Sequence, residues 1–117
     1  MRSLNKKAVL IIDYFNSITS DKYTKVVFKN KLSTTVALLI YLKENITLSN
    51  LMLMIDSNLG SSINLKRCIK SFKDKNIIKQ TDDIDDRRKK ILSLTTRGHK
   101  IISVMLSHEI WSCIKEK

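Results

Sequence analysis

A chain of 117 residues with no proline and only two glycines, Gly60 and Gly98, has few places where its backbone is told to break. Proline and glycine are the strongest local punctuators of structure, so their scarcity favours helices joined by short turns of Ser, Asn and Asp. The length allows one domain, and 43% apolar residues are enough for a core without metal or disulfide staples. No internal repeat or low-complexity segment interrupts the chain.

Leu4, Ala8, Ile11, Phe15 and Ile18 recur at helical spacing and predict a first helix. Val9, Ile12 and Tyr14 widen its apolar face beyond what one neighbouring helix would cover. Residues 21–30 predict a short helix carrying Tyr23, Val26, Val27 and Phe28. Ser33 or Thr34 is expected to cap the next helix, which runs to about Asn45. Its stretch 36–42 is apolar all round, as in a helix buried at the centre of a domain. Ser49 is the expected cap of a further helix with Leu48, Leu51, Met52, Ile55 and Leu59 on one side, ended by a turn at 57–61. The helix expected over 62–75 buries Leu65, Cys68, Ile69 and Phe72 and turns Asn64, Lys66, Arg67, Lys70 and Lys73 outward. The period then changes. Residues 77–80 and 90–94 read as two strands around a charged turn at 81–88. A last helix over about 96–114 carries Ile101, Ile102, Met105, Leu106, Ile110, Trp111 and Ile114. The expected fold is mainly α with a small β-hairpin (α+β), in a single domain. It is a winged helix-turn-helix, with the helix-turn-helix over 48–75, the wing over 77–95 and terminal helices over 1–20 and 96–117.

Twenty-two Lys and Arg stand against 11 Asp and Glu, a net charge of +11. Between residues 62 and 100 there are 12 basic and five acidic residues, so this third of the chain holds +7 of that excess. Such a balance speaks of a polyanionic partner, a nucleic acid or an anionic membrane surface. The apolar run at 8–12 is cut by Asp13 and followed by no small-residue cleavage site, so it does not read as a signal peptide. No stretch approaches the ~20 apolar residues that span a bilayer. Cys68 and Cys113 have no second Cys or His at ligand spacing, which excludes the common zinc patterns and a disulfide framework. A reducing cytoplasm is the expected location, with no membrane partner.

A helix that enters the major groove needs short polar residues at its start, basic residues along one face and an apolar opposite face. Residues 61–70 meet each demand. Ser61 and Ser62 can cap the helix and bond phosphates, Asn64 can pair with adenine edges and Arg67 with guanine. Lys66, Lys70 and Lys73 are better placed for the phosphate backbone. Taken alone this face could equally be a solvated surface; the hairpin that follows tilts the reading towards nucleic acid. No catalytic residue or cofactor is expected. His99 and His108 have no partner at triad or metal spacing and read as surface residues of the last helix. The aspartates of 82–86 lack the glycine and distal glutamate of a calcium loop.

The string from Asp86 through Arg87, Arg88, Lys89, Lys90, Ile91, Leu92, Ser93, Leu94 and Thr95 to Gly98 resembles the wing signature of MarR/SarA-type winged helix-turn-helix regulators. Residues 32–35 resemble the start of that family's central helix. Residues 75–78 resemble its turn from recognition helix into wing, with Asn76 where glycine is usual. The likeness runs from Leu32 to about Ile102. It implies a sequence-specific regulator of transcription, repressor or activator, on double-stranded DNA. Arg88 would reach the minor groove, oriented by a salt bridge from Asp86, while Arg87 and Lys89 touch phosphate or nothing. It also implies terminal helices interleaved in a homodimer on an inverted repeat. The broad apolar faces of those helices agree, with Ile11, Phe15, Leu106, Ile110 and Trp111 as the expected interface. The short chain is closer to the SarA-like branch, which tends to lack an obvious ligand cavity. Oxidation-sensing relatives carry their reactive cysteine in the first helix; none stands there in this chain, so Cys68 and Cys113 are expected to be packing residues. Two other readings remain. One is a winged-helix module docking an acidic protein; the other is a basic RNA-binding domain, disfavoured because the basic helix lacks exposed aromatics.

Overall fold

The computed structural model describes residues 2–86 and 88–108. Among the described residues nine elements follow one another: α1 (Arg2–Ser20), α2 (Lys22–Val27), α3 (Lys31–Lys43), β1 (Ile46–Thr47), α4 (Leu48–Met54), α5 (Ser62–Asp74), β2 (Ile78–Asp82), β3 (Lys90–Leu94) and α6 (Thr96–Leu106). The architecture is a winged helix-turn-helix. It differs from the expected hairpin by one strand: the sheet has three antiparallel strands in the order β1-β3-β2. Ile46 pairs with Leu92 and Thr47 with Ile91. Two residues carry no readable period, which is why β1 is invisible in the sequence.

α3 lies at the centre, as its unbroken apolar run predicts. Leu32, Val36, Ala37 and Ile40 are buried, and only Leu42 of that run stands out, at 71% exposure. Around it pack Val27 from α2, Leu51 from α4, Leu65, Ile69 and Phe72 from α5, Leu92 from β3 and Ile102 from α6. One contiguous core therefore fixes the basic helix and the wing to the same rigid base.

Several helix boundaries differ from the sequence reading. α3 is capped by Asn30, whose Oδ1 accepts from the Ser33 N–H at 2.8 Å, and Ser33 itself is buried one turn in. The hydroxyls of Thr34 and Thr35 bond back to the carbonyls of Asn30 and Lys31, an alternative open to short polar side chains inside a helix. α4 is capped by Thr47 rather than Ser49, and Ile55 and Leu59 lie beyond its end, half-buried against the core. β2 starts at Ile78, not Ile77, and continues through Thr81 and Asp82, which narrows the wing tip to 83–89. α6 ends at Leu106 with Ser107 as its C-cap, and the part of the expected run from 109 to 114 lies outside the described residues. His108, expected on the surface, is half-buried and meets Tyr14 edge-on at 5.1 Å between ring centroids. Ile110, Trp111, Cys113 and Ile114 lie outside the described residues, as does Arg87.

The junction between α5, the wing and α6 is tightly tied. Asn76 takes a left-handed φ of 58°, a conformation that asparagine tolerates better than most residues. That conformation explains how it can stand where glycine is usual. The Thr95 hydroxyl, which caps α6, bonds the carbonyls of Asn76 at 2.6 Å and Ile77 at 3.0 Å. Gly98 packs against the same Ile77 carbonyl, and a Cβ there would lie 2.1 Å from its oxygen. Gly98→Ala is therefore expected to destabilise the fold by about 1–3 kcal/mol, the usual cost of overpacking a rigid site. Helix propensity alone would favour alanine by about 1 kcal/mol. A rise in the denaturant midpoint would show that the backbone yields and propensity wins.

Candidate nucleic-acid interface

α5 begins at a cap that the sequence announces. Ser61 Oγ accepts from the Asn64 N–H at 3.2 Å, and a serine hydroxyl keeps its own proton to donate. Leu65, Cys68, Ile69 and Phe72 hold one side of the helix in the core. Ser62, Asn64, Lys66, Arg67, Lys70 and Lys73 are all exposed on the others. Each residue of α5 expected at the surface is thus found there. The Lys73 Nζ donates to Gln80 Oε1 on β2 at 3.1 Å, joining the far end of the helix to the wing.

The wing tip is built by its aspartates. Asp83 Oδ1 accepts from the Asp85 N–H at 2.9 Å, the Asp83 N–H bonds the Lys89 carbonyl, and the Lys89 N–H bonds the Asp86 carbonyl. Asp86 Oδ1 receives both the backbone N–H of Arg88 at 3.0 Å and its Nε at 3.3 Å. The Arg88 side chain is 93% exposed and that of Asp86 32%. An ion pair this open contributes little stability, about 0–1 kcal/mol. Lys90 pairs with Asp82 across β2 and β3, while Lys89 is exposed.

Ser49 and Asn50 were not singled out from sequence as interface residues. They face Arg88, Lys89 and Lys90 across a cleft of about 270 Å³ between the start of α4 and the wing. The Thr47 cap that positions them, through its bond from the Asn50 N–H at 3.1 Å, was the available signal.

Cys68 is buried, and its thiol lies 3.6 Å from Ser33 Oγ. Burial raises its pKa above the ordinary thiol value, so the less reactive protonated form is favoured at neutral pH. The apolar stripe of α1 is divided. Tyr14 and Ile18 are buried, whereas Leu4, Val9, Ile11, Ile12 and Phe15 are exposed, as are Val104 and Leu106 of α6. A cleft of about 390 Å³ lies between α1, α2 and α6, bordered by Tyr14, Tyr23, Arg97 and Met105. Among the described residues no helix is long and apolar enough to cross a membrane, and no cluster of His, Cys, Asp and Glu could hold a metal ion.

No known sequence family and no curated protein matches the chain. Solved structures do. A mutant of MarR from E. coli complexed with operator DNA superposes with a TM-score of 0.61 at 19% identity, over 98% of this chain and 74% of that one. A MepR mutant from S. aureus bound to an oligodeoxyribonucleotide gives 0.62 at 15% identity, over 93% of this chain and 78% of that one. The transcriptional regulator PA4135 gives 0.63 at 10% identity, over 98% and 77%. The chain therefore has the winged helix-turn-helix fold of MarR-type regulators and spans about three quarters of their length.

Proposed function

We propose that this chain is a transcription regulator that binds double-stranded DNA sequence-specifically as a homodimer, without catalysis or a required cofactor, in the cytoplasm. The observation that carries the reading is the division of α5. Its apolar side is sunk in the core while Asn64, Lys66, Arg67 and Lys70 are exposed along the other, beside a wing that presents Arg88. That is the arrangement a helix needs to lie in a major groove with a neighbouring arm reaching the minor groove. Two of these solved structures, the MarR mutant and the MepR mutant, are bound to DNA, which supports the same partner here.

The residues divide by role. Asn64 and Arg67 read base edges, and Ser61, Ser62, Lys66, Lys70 and Lys89 hold phosphates, with Arg87 beside them on the wing. Lys73 braces the helix against Gln80 and reaches the backbone only if that bond opens. Asp86 aims Arg88. The helix-turn-helix at 48–75 and the wing at 77–95 form the DNA-binding part of a single domain. The terminal segments 1–20 and 96–117 dimerise through Ile11, Phe15, Leu106, Ile110 and Trp111, because the exposed apolar face of α1 otherwise stands in water. A two-fold dimer presents two α5 helices to an inverted repeat.

Selection of bound duplexes from a random pool tests the reading at its root and is expected to return a symmetric site. On that site Arg67→Ala should relax preference at one base position per half-site, by about 1–3 kcal/mol. Lys70→Ala should weaken specific and random duplexes alike. A pool that yields no enriched duplex, or tighter binding to RNA, sinks the proposal.

A further inference from the structure

Arg97 is the second residue of α6, where a cation opposes the positive end of the helix dipole. Its placement is unfavourable for its own helix and is accounted for elsewhere. Nη1 reaches back to α5 and donates to the carbonyl of Lys75, the C-cap residue, at 2.9 Å. The last carbonyls of a helix lack intrahelical partners, and a cation is welcome there. The same guanidinium carbon lies 4.0 Å from the ring centroid of Tyr23 on α2, a ring that also carries the Lys22 ammonium at 5.0 Å. One planar group thus joins the end of the basic helix, the base of the domain and the start of the last helix. Arginine can bond a carbonyl in plane and stack on a ring at once, which lysine cannot.

The other ties at this junction sit close together. Thr95 and Gly98 both meet the Asn76–Ile77 turn, so they fix where α6 leaves the wing and act as a pivot. A pivot leaves an angle free. A cleft between α1, α2 and α6 lies beside that pivot, with Arg97 and Tyr23 at its border. We infer that Arg97 is a positioning residue: through Lys75 and Tyr23 it sets the angle between the basic helix and the terminal helices, and so the half-site spacing that the dimer accepts. The inference rests on the dimeric DNA-binding reading above.

The test uses the palindromic duplex selected with the wild-type chain, and versions with one or two base pairs added to or removed from its centre. Wild type is expected to discriminate sharply against the altered spacings. Arg97→Met should keep the fold and the dimer, judged by thermal melting and sedimentation. It should lose about tenfold on the selected duplex and bind the altered spacings nearly as well as the selected one. Arg97→Lys, which keeps the charge but not the stack, and Tyr23→Leu, which removes the ring, should flatten the spacing profile in the same direction. If the variants weaken every spacing by one factor, Arg97 is a phosphate contact or a plain stabiliser and the inference fails alone. If they keep the wild-type profile, it fails as well. A wild-type chain that sediments as a monomer, or selects no duplex, overturns this inference together with the reading beneath it.

Discussion

Raising monovalent salt from 50 to 200 mM is expected to weaken duplex binding by about 10³- to 10⁵-fold. The expectation follows from the charge placement. Residues 62–100 carry 12 basic side chains against five acidic ones. Of these, Lys66, Arg67, Lys70 and Lys89 are exposed on α5 and the wing. Three to five contacts of that kind per protomer, doubled by a two-fold axis, neutralise ~6–10 phosphates, and each releases condensed counterions. Three acids of the wing have local partners: Asp82 pairs with Lys90, Asp83 accepts from the Asp85 N–H and Asp86 pairs with Arg88. Titrations over a salt series give the slope directly. A slope near zero would remove the basic face from the interface and leave the protein-docking alternative standing.

The parts of this design that were legible in the sequence are those written by local period. α5 could be read because a serine cap precedes an alternation of apolar and basic residues long enough to fix the buried side. β3 falls at 90–94 as its residues suggest. Caps were harder where polar residues crowd. Asn30 competes with Ser33 and Thr34, and Thr47 with Ser49, and every one of these can accept an N-terminal N–H. Only the packed chain shows which side chain turns out and which is buried. On α1 the width of the apolar face was visible, but not which sector meets its own domain. Tyr14 and Ile18 turn inward while Phe15, between them in sequence, is 58% exposed. The Arg97 bridge could not be read at all, because its partners lie 22 and 74 positions away and leave no period. Conversely, the Thr95-x-x-Gly98 pair, known at first only as part of a resemblance, acquires a physical cause: a hydroxyl and a missing Cβ that accommodate the Asn76–Ile77 turn.

Arg88→Ala is expected to reduce affinity for the selected duplex by roughly 10²- to 10⁴-fold while leaving fold and dimer intact. A charge-assisted contact is worth about 1.5–3 kcal/mol, and a dimer loses it twice, about 3–6 kcal/mol in all. Stability should not follow, since the side chain is 93% exposed and its pairing with Asp86 is a surface ion pair. The loss should be greatest on duplexes whose flanks carry A-tracts, because a narrow minor groove concentrates the negative potential that draws the guanidinium in. Asp86→Ala separates aim from charge. It leaves Arg88 in place but removes the acceptor of both its N–H and its Nε. The variant should bind more weakly than wild type and more tightly than Arg88→Ala, with a reduced preference for A-tract flanks. Titration with fluorescent duplexes decides the matter. An Arg88→Ala protein within twofold of wild type takes the wing out of the minor groove and leaves recognition to α5 alone.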